Sequence, residues 1–217
     1  MKIFINESQY GLISEAVNDK FDLNVMDSLR SYNKRVQYCR ANLGREIGKG
    51  SSRIVFQLDD EKILKLAFNE KGKAQNYEEK NAYGNNIFPK VFGSAEDNSW
   101  LISEFVLPAK SEDFKHCLGM SFNEFRQFIV ACGKYRFGKQ FRYYFPNITE
   151  DEYIELIENN QDLYDFDDYI GNYGDVVCGD MMRIKNYGLA KRDGEAHIVL
   201  LDSGFTDYVW DNYYKRG

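Results

Sequence analysis

The segment Leu201-Asp202-Ser203-Gly204-Phe205 follows directly on the apolar run Ile198-Val199-Leu200. A short buried strand there delivers an aspartate into a tight turn, and glycine lets the backbone leave at an angle most residues avoid. Such a corner can hold a magnesium-binding carboxylate beside a nucleotide, and it can equally be an ordinary Asp-x-Gly turn. Far upstream, Ile47-Gly48-Lys49-Gly50-Ser51-Ser52-Arg53-Ile54-Val55 lies between two strand-like segments. Its glycines leave backbone N–H groups unobstructed, as a loop closing over phosphates requires; a plain hairpin turn fits it as well. Lys65 stands between Leu64 and Leu66 and therefore points to the opposite face of its strand. A lysine kept near a core needs an anionic partner, because an unpaired buried charge is costly. Glu78 and Glu79 are the candidates, and a helix turns only one of them inward. Ala82 and Tyr83, three and four positions on, favour Glu79. A solvated helix face accounts for either glutamate taken alone.

These residues need elements to hold them. Residues 25–43 read as one helix packed on the body of the protein, with Val25, Leu29, Tyr32, Val36, Cys39 and Leu43 on one stripe. From Gly44 the pattern shifts to short strands. Residues 53–58 and 62–67 form a hairpin around Asp59-Asp60-Glu61, and 91–93 and 100–106 flank a turn at Asp97-Asn98-Ser99. Residues 73–84 between them are helical and end at Gly84-Asn85-Asn86. Beyond Pro108 the chain is mainly helical. Residues 121–137 carry Phe122, Phe125, Phe128, Ile129 and Cys132 at helical spacing, and 149–159 open with a Thr149/Glu152 capping box. The acidic, aromatic stretch 162–175 continues as helix or loop. A strand at 197–201 then precedes a short aromatic tail.

At 217 residues the chain can bury a sizeable core, as one domain or as two small lobes. A 43% hydrophobic content beside 29% charged residues excludes a disordered chain. The net charge of −6 argues against general nucleic-acid binding, and no clear signal for it is seen. The four cysteines form no Cys-x-x-Cys pair and only two histidines are present, so no zinc set follows from spacing. Reduced thiols are expected. The start turns polar at Asn6, too soon for a signal peptide, and no run approaches the about 20 apolar residues of a spanning helix. The expectation is a cytoplasmic protein without membrane attachment.

Taken in order, the segments resemble the protein-kinase-like fold, including its aminoglycoside-phosphotransferase type. The resemblance covers residues 44–106 and 176–205. It implies an α+β, bilobal architecture: an N-terminal helical extension (1–43), a small antiparallel-sheet lobe (44–107) and a reduced helical lobe (108–217) carrying the catalytic and metal-binding segment 176–205. Gly48, Gly50 and Ser51 look like the glycine loop, although Arg53 takes the place of its third glycine. Lys65 looks like the phosphate-binding strand lysine and Glu79 like its helix partner, with Phe88-Pro89 following at a familiar interval. The run 97–106 resembles the strand entering the kinase hinge, which makes Ser103 the gatekeeper and sets Glu104 to Val106 against adenine. Cys178-Gly179-Asp180 resembles the His-Gly-Asp of small-molecule kinases, with Cys in place of His. Asp180 would then orient or accept the proton of the attacking hydroxyl, while Asn186 and Asp202 would hold the metal ions bridging the nucleotide phosphates. Gly194 falls in a turn between Asn186 and the Asp202 strand. The implied cofactors are ATP and Mg²⁺.

The chain departs from that family in several places. Met181 to Lys185 separate Asp180 from Asn186, one residue more than the family's catalytic loop carries. Ser203 stands where Asp-Phe-Gly has Phe, and thirteen residues follow Gly204, too few for a peptide-docking activation segment. Substrate recognition is therefore expected from the N-terminal helix, from region 111–175, or from a second chain. Tyr143-Tyr144-Phe145 and the run Tyr164 to Tyr169 are candidates for such a surface, although aromatics at helical spacing more often build a core. Two functions follow: an ATP- and magnesium-dependent phosphotransferase, or a catalytically inactive pseudokinase serving as an interaction or structural component. A third reading makes the matches accidental in an α+β domain. Truncated kinase-like chains of this style resemble proteins of tailed bacteriophages, which would put the chain in the host cytoplasm or the virion, with a protein partner.

Overall fold

The computed structural model describes residues 20–44, 46–82, 86–136, 149–172 and 178–215, with the side chains of 133–136 and 178 excepted. Tyr83, Gly84-Asn85, Tyr143-Tyr144-Phe145 and the first residues of the chain lie outside them, as does the end of the stretch 162–175. The fold is α+β and comprises two units, residues 1–80 with 91–105 and residues 81–90 with 106–217.

The first unit is built on an antiparallel sheet of β1 (Gly48–Lys49), β2 (Arg53–Gln57), β3 (Lys62–Ala67), β4 (Val91–Ser94) and β5 (Trp100–Glu104), in the order β1-β2-β3-β5-β4. Alternation along the strands gives this sheet two unlike faces. Ile54, Phe56, Leu64, Leu66 and Trp100 point to one side and bury against Met26, Val36, Cys39 and Leu43 of the N-terminal helices. Each fully buried apolar side chain there contributes roughly 1.5–3 kcal/mol. Those helices are two, α1 (Leu23–Ser28) and α2 (Tyr32–Asn42), where the sequence pattern suggests one over 25–43. The break has a local cause. Leu29 is extended, Ser31 stands at the start of α2, and the Arg35 guanidinium donates to the Leu29 carbonyl at 2.7 Å, to the Asp27 carbonyl at 2.9 Å and to Ser99 Oγ at 2.5 Å. Trp100 Nε1–H adds a 2.6 Å bond to Asp27. The helix pair is thus tied to the β4–β5 turn, where Asn98 takes a left-handed φ of 57°.

The other face is covered by α3 (Glu70–Asn81), which begins earlier than the pattern 73–84 suggests. Its buried stripe is Gly72, Gln75, Asn76 and Glu79, so a helix with scarcely any apolar residue turns its polar side inward. Gly72 permits this. A Cβ there would collide with the Ser52 carbonyl and stand 3.0 Å from the Ala67 Cβ.

The second unit contains β6 (Leu107–Pro108), α4 (Ser111–Leu118), α5 (Phe122–Arg136), α6 (Glu150–Glu158), α7 (Gln161–Asn172), the single turn α8 (Cys178–Met181), and the hairpin β7 (Tyr187–Arg192) and β8 (Glu195–Leu200). Sequence periodicity passes over α4 and β7. The hairpin turns through Asp193 and Gly194, both with positive φ, the Asp-Gly signature of a two-residue turn. Region 162–175 is helical through Asn172, and Leu163, Phe166 and Tyr169 enter the core. Phe114, Phe125, Phe166 and Tyr187 meet edge-to-face or tilted, with ring centroids between 5.1 and 6.2 Å apart. These aromatics pack against each other, and the described residues end in α9 (Asp207–Val209) and a wider turn, Trp210–Tyr214. Phe205, Trp210 and Tyr214 form a separate small cluster there.

Gly72→Ala discriminates packing from helix propensity. Propensity alone adds about 1 kcal/mol of stability, while overpacking against a backbone carbonyl costs about 1–3 kcal/mol. A lower urea midpoint for the variant is the expected result.

Candidate functional site

In the first unit the sheet register decides which side chains meet. Val55 lies opposite Lys65 and Lys65 opposite Leu101, so Arg53, Val55, Lys65 and Leu101 share the face that α3 covers. Lys65 Nζ donates to Glu79 Oε1 at 2.5 Å, and Arg53 Nη1 donates to Glu79 Oε2 at 2.5 Å. Both cations and the carboxylate are buried. Arg53 also reaches Asn76 Oδ1 at 3.2 Å, and the Asn76 amide donates to the Asn98 carbonyl at 2.8 Å. Glu79 is thus the glutamate that meets Lys65, while Glu78 on the same helix is half-buried. Burial acts to raise the Glu79 carboxyl, and the charges of Arg53 and Lys65 with their hydrogen bonds overcome it, leaving it below its ordinary range.

The glycine-containing segment is a tight hairpin between β1 and β2. Gly48 pairs with Val55, and the Gly50 N–H donates to the Arg53 carbonyl at 2.9 Å. Neither Gly48 nor Gly50 adopts a positive φ, and a Cβ at Gly50 would meet only the Arg53 carbonyl at 3.9 Å. Their lack of side chains leaves the turn bare; no backbone angle demands it. Ser51 is exposed at the tip and Ser52 is buried, its hydroxyl bonded to Gln75. Ser103 lies on β5 opposite Ile63, fully buried, and its Oγ has no hydrogen-bond partner among the described residues. Glu104 pairs with Lys62 at the end of the same ladder.

In the second unit, Asp180 lies within the one-turn helix α8 and Asn186 ends a 3₁₀ turn, Ile184–Asn186. The five intervening residues fold as two successive turns, with Arg183 N–H on the Asp180 carbonyl at 3.2 Å and Asn186 N–H on the Arg183 carbonyl at 2.9 Å. Asn186 Nδ2 then donates back to the Asp180 carbonyl at 2.9 Å. The Asn186 carbonyl accepts from the Leu201 N–H at 2.8 Å, which holds it next to the residue preceding Asp202. Tyr187 anchors this loop from below: its hydroxyl donates to the Met181 carbonyl at 2.8 Å while its ring sits in the aromatic core. Burial, and then the nearby charge of Asp202, raise the Asp180 carboxyl above its ordinary value, against the pull of Arg183 at 3.5 Å and of Asn186. Gly188, next along β7, packs so closely that a Cβ would come within 2.7 Å of Val106 and Leu201.

Asp180, Asn186 and Asp202 therefore gather in one unit, and Lys65, Glu79, Gly48, Gly50, Ser51, Ser103 and Glu104 in the other. Arg53, Asn76 and Tyr187 are site residues that sequence reasoning passes over. Arg53 is legible only as a departure from the glycine pattern; its place beside Lys65 depends on a strand register that the sequence pattern leaves open. For a divalent cation, the Asp202 carboxylate and the Asn186 amide oxygen are hard donors of suitable type, since the Asn186 nitrogen is engaged by Asp180. Among the described residues no group of three or more His, Cys, Asp or Glu gathers as a metal cage. That donor set suits magnesium, which keeps waters and phosphate oxygens as its other ligands. Burial raises the Cys39 thiol to about 12 and Cys117 to about 11, so neither is a nucleophile at neutral pH.

The lowered Glu79 carboxyl fixes a pH dependence. A depressed folded value contributes stability above the unfolded value of about 4.3, and that contribution is lost as pH falls through the folded value. Acid unfolding followed by circular dichroism is expected to lose this component in Glu79→Gln. The variant is expected to be less stable than the wild type at pH 7 by about 3–5 kcal/mol, because two cations then stay buried without a counter-charge.

A scan against protein-family models finds no match, and a search of curated proteins finds none. No helix among the described residues is long and apolar enough to cross a membrane. Among solved structures, a "streptomycin-ATP-APH(2″)-IIa ternary complex" is similar over 94% of this chain and 72% of that chain, at 11% identity and a TM-score of 0.34.

Proposed function

We propose that the chain is a kinase-like phosphotransferase that uses ATP and a divalent cation to phosphorylate an acceptor hydroxyl. The observation that carries this reading is the buried lysine of β3 held at 2.5 Å by a helix carboxylate, beside a bare glycine turn. In the reading, Lys65 and the N–H groups of Gly48 to Ser51 take the phosphates, with Glu79 fixing the Lys65 ammonium. Ser103, Glu104 and Val106 line the base. Asp180 orients the acceptor hydroxyl and receives its proton as the terminal phosphoryl group leaves the nucleotide for that oxygen. Asn186 and Asp202 hold the cation, which when bound neutralises charge spreading over the phosphoryl oxygens. The gathering of Asp180, Asn186 and Asp202 despite the longer loop supports catalysis. The Arg183 contact on Asp180 favours the second reading, a pseudokinase that binds nucleotide and serves in assembly, the phage particle included.

Thermal denaturation with millimolar ATP and Mg²⁺ tests the reading. A site occupied at 100-fold its dissociation constant adds about 2.7 kcal/mol, a shift of several degrees. The wild type is expected to show that shift, Lys65→Met to lose most of it, and Asp202→Ala to lose its magnesium-dependent part. Equal melting temperatures with and without nucleotide for all three proteins would remove nucleotide binding. A shift unaccompanied by ATP hydrolysis or phosphate transfer would select the pseudokinase.

A further inference from the structure

The first unit holds a cavity of about 260 Å³, lined by none of the residues assigned above to nucleotide. That volume admits one small molecule, just under the usual range of about 300–1,000 Å³ for ligand pockets. Its walls come from the α1–α2 connection with α2, from the exit of β3 into α3, and from the β4–β5 turn. Leu66 and Ala67 are buried and give it an apolar patch, and the half-buried rings of Tyr32 and Phe68, tilted with centroids 5.5 Å apart, line it too. The charges around it balance in number but not in place. Arg30, Arg35 and Lys73 stand against Asp27, Glu70 and Asp97. Arg35 is met by Asp27 at 3.3 Å, while Lys73 is shared between Glu70 at 3.1 Å and Asp97 at 3.8 Å. Arg30 has no ion pair or hydrogen bond among the described residues. Burial acts to raise the Asp97 carboxyl, but hydrogen bonds from Ser99 and the charges of Lys73 and Arg35 hold it below its ordinary range, so it is ionised at neutral pH. One unanswered cation therefore faces the cavity from the α1–α2 connection, and two carboxylates that share one lysine face it from α3 and the β4–β5 turn.

We propose that this cavity binds a small zwitterion, a free amino acid with an apolar or aromatic side chain. Its carboxylate meets the Arg30 guanidinium, whose planar fork suits that group. Its ammonium meets Glu70 and Asp97 and takes the share of negative charge that Lys73 leaves over. Its side chain lies against the Tyr32 and Phe68 rings and the patch of Leu66 and Ala67. A plain carboxylate would answer Arg30 but face Glu70 and Asp97, and a plain amine would answer those two but face Arg30. Only a ligand with both charges matches a cavity whose own charges cancel in sum and are separated in space. Such a ligand also joins α2, α3 and the β4–β5 turn, which are already linked through Arg35 to Ser99 and through Asn76 to the Asn98 carbonyl. The site stands whether or not the chain binds nucleotide.

The test titrates the wild type, Arg30→Gln and Asp97→Asn with three probes: L-phenylalanine, hydrocinnamate (no ammonium) and phenethylamine (no carboxylate), followed by amide NMR shifts. Phenylalanine is expected to bind the wild type with a dissociation constant of about 1 mM or tighter, the scale open to so small a ligand. Its shifts are expected at Phe68 to Glu70 and Asp97 to Ser99. Hydrocinnamate and phenethylamine are each expected to bind about 10-fold more weakly or worse, for want of one charge-assisted contact. Arg30→Gln is expected to keep its melting temperature, since Arg30 is exposed and without a partner among the described residues. It is expected to weaken phenylalanine about 10-fold and leave phenethylamine unchanged, while Asp97→Asn weakens phenylalanine and spares hydrocinnamate. Should Asp97→Asn disturb its turn, Glu70→Gln decides by the same criterion. A wild-type dissociation constant above about 10 mM for phenylalanine would overturn the proposal. Equal affinities for the three probes, wild-type affinity for phenylalanine in Arg30→Gln, or shifts confined to other residues would overturn it as well.

Discussion

A carboxylate removed from water must be matched by positive charge or give up its own, and the first unit is arranged around one such carboxylate. Glu79 keeps its charge because Lys65 and Arg53 each take one of its oxygens. Meeting that requirement dictates the rest. Helix α3 must turn a polar stripe inward, the β2–β3 register must bring Arg53 and Lys65 to one face, and Gly72 must let the helix approach Ser52. The apolar energy that sustains this costly arrangement comes from the opposite face, where α1 and α2 cover Ile54, Phe56, Leu64 and Leu66. One sheet thus separates an apolar side that supplies stability from a side that buries charge.

The second unit solves a different problem, the support of two carboxylates that repel each other. Asp180 and Asp202 are held in proximity by the Asn186 amide, the Asn186–Leu201 backbone bond and the Tyr187 hydroxyl under the loop, with the Arg183 charge 3.5 Å from Asp180 offsetting part of the repulsion. Tyr187 and Met181 both belong to the core, and Met182 and Ile184 pack against it, so the loop is anchored on the core by several side chains. The five residues between Asp180 and Asn186 form two tight turns that bring the Asn186 amide back to the Asp180 carbonyl.

Much of this was legible from residue spacing, and the remainder failed for identifiable reasons. The strands at 53–58, 62–67 and 100–106, the Asp97-Asn98-Ser99 turn and the Thr149/Glu152 capping box rest on local chemistry, and local chemistry forms them here. The split of 25–43 depends on Arg35 reaching Ser99, sixty-four positions away, which periodicity cannot register. Helix α3 hides its orientation because the hydrophobic pattern that reveals a buried side is missing; its inward residues are polar and satisfied by distant partners. Glu79 is preferred in the sequence because of Ala82 and Tyr83, yet the helix ends at Asn81, and what turns Glu79 inward is its place on the stripe of Gly72, Gln75 and Asn76. Arg53 was visible as an exception without a role, since its role exists only once two strands are aligned.

Each unit also carries one of the two tryptophans. Trp100 is buried at 8% exposure against Asp27, whereas Trp210 stands 41% exposed beside Phe205 and Tyr214. Their emission differs in colour for that reason, Trp100 to the blue and Trp210 to the red. A single fluorescence spectrum of the native chain therefore contains two reporters, one for each unit, and can tell whether the units melt together or in turn.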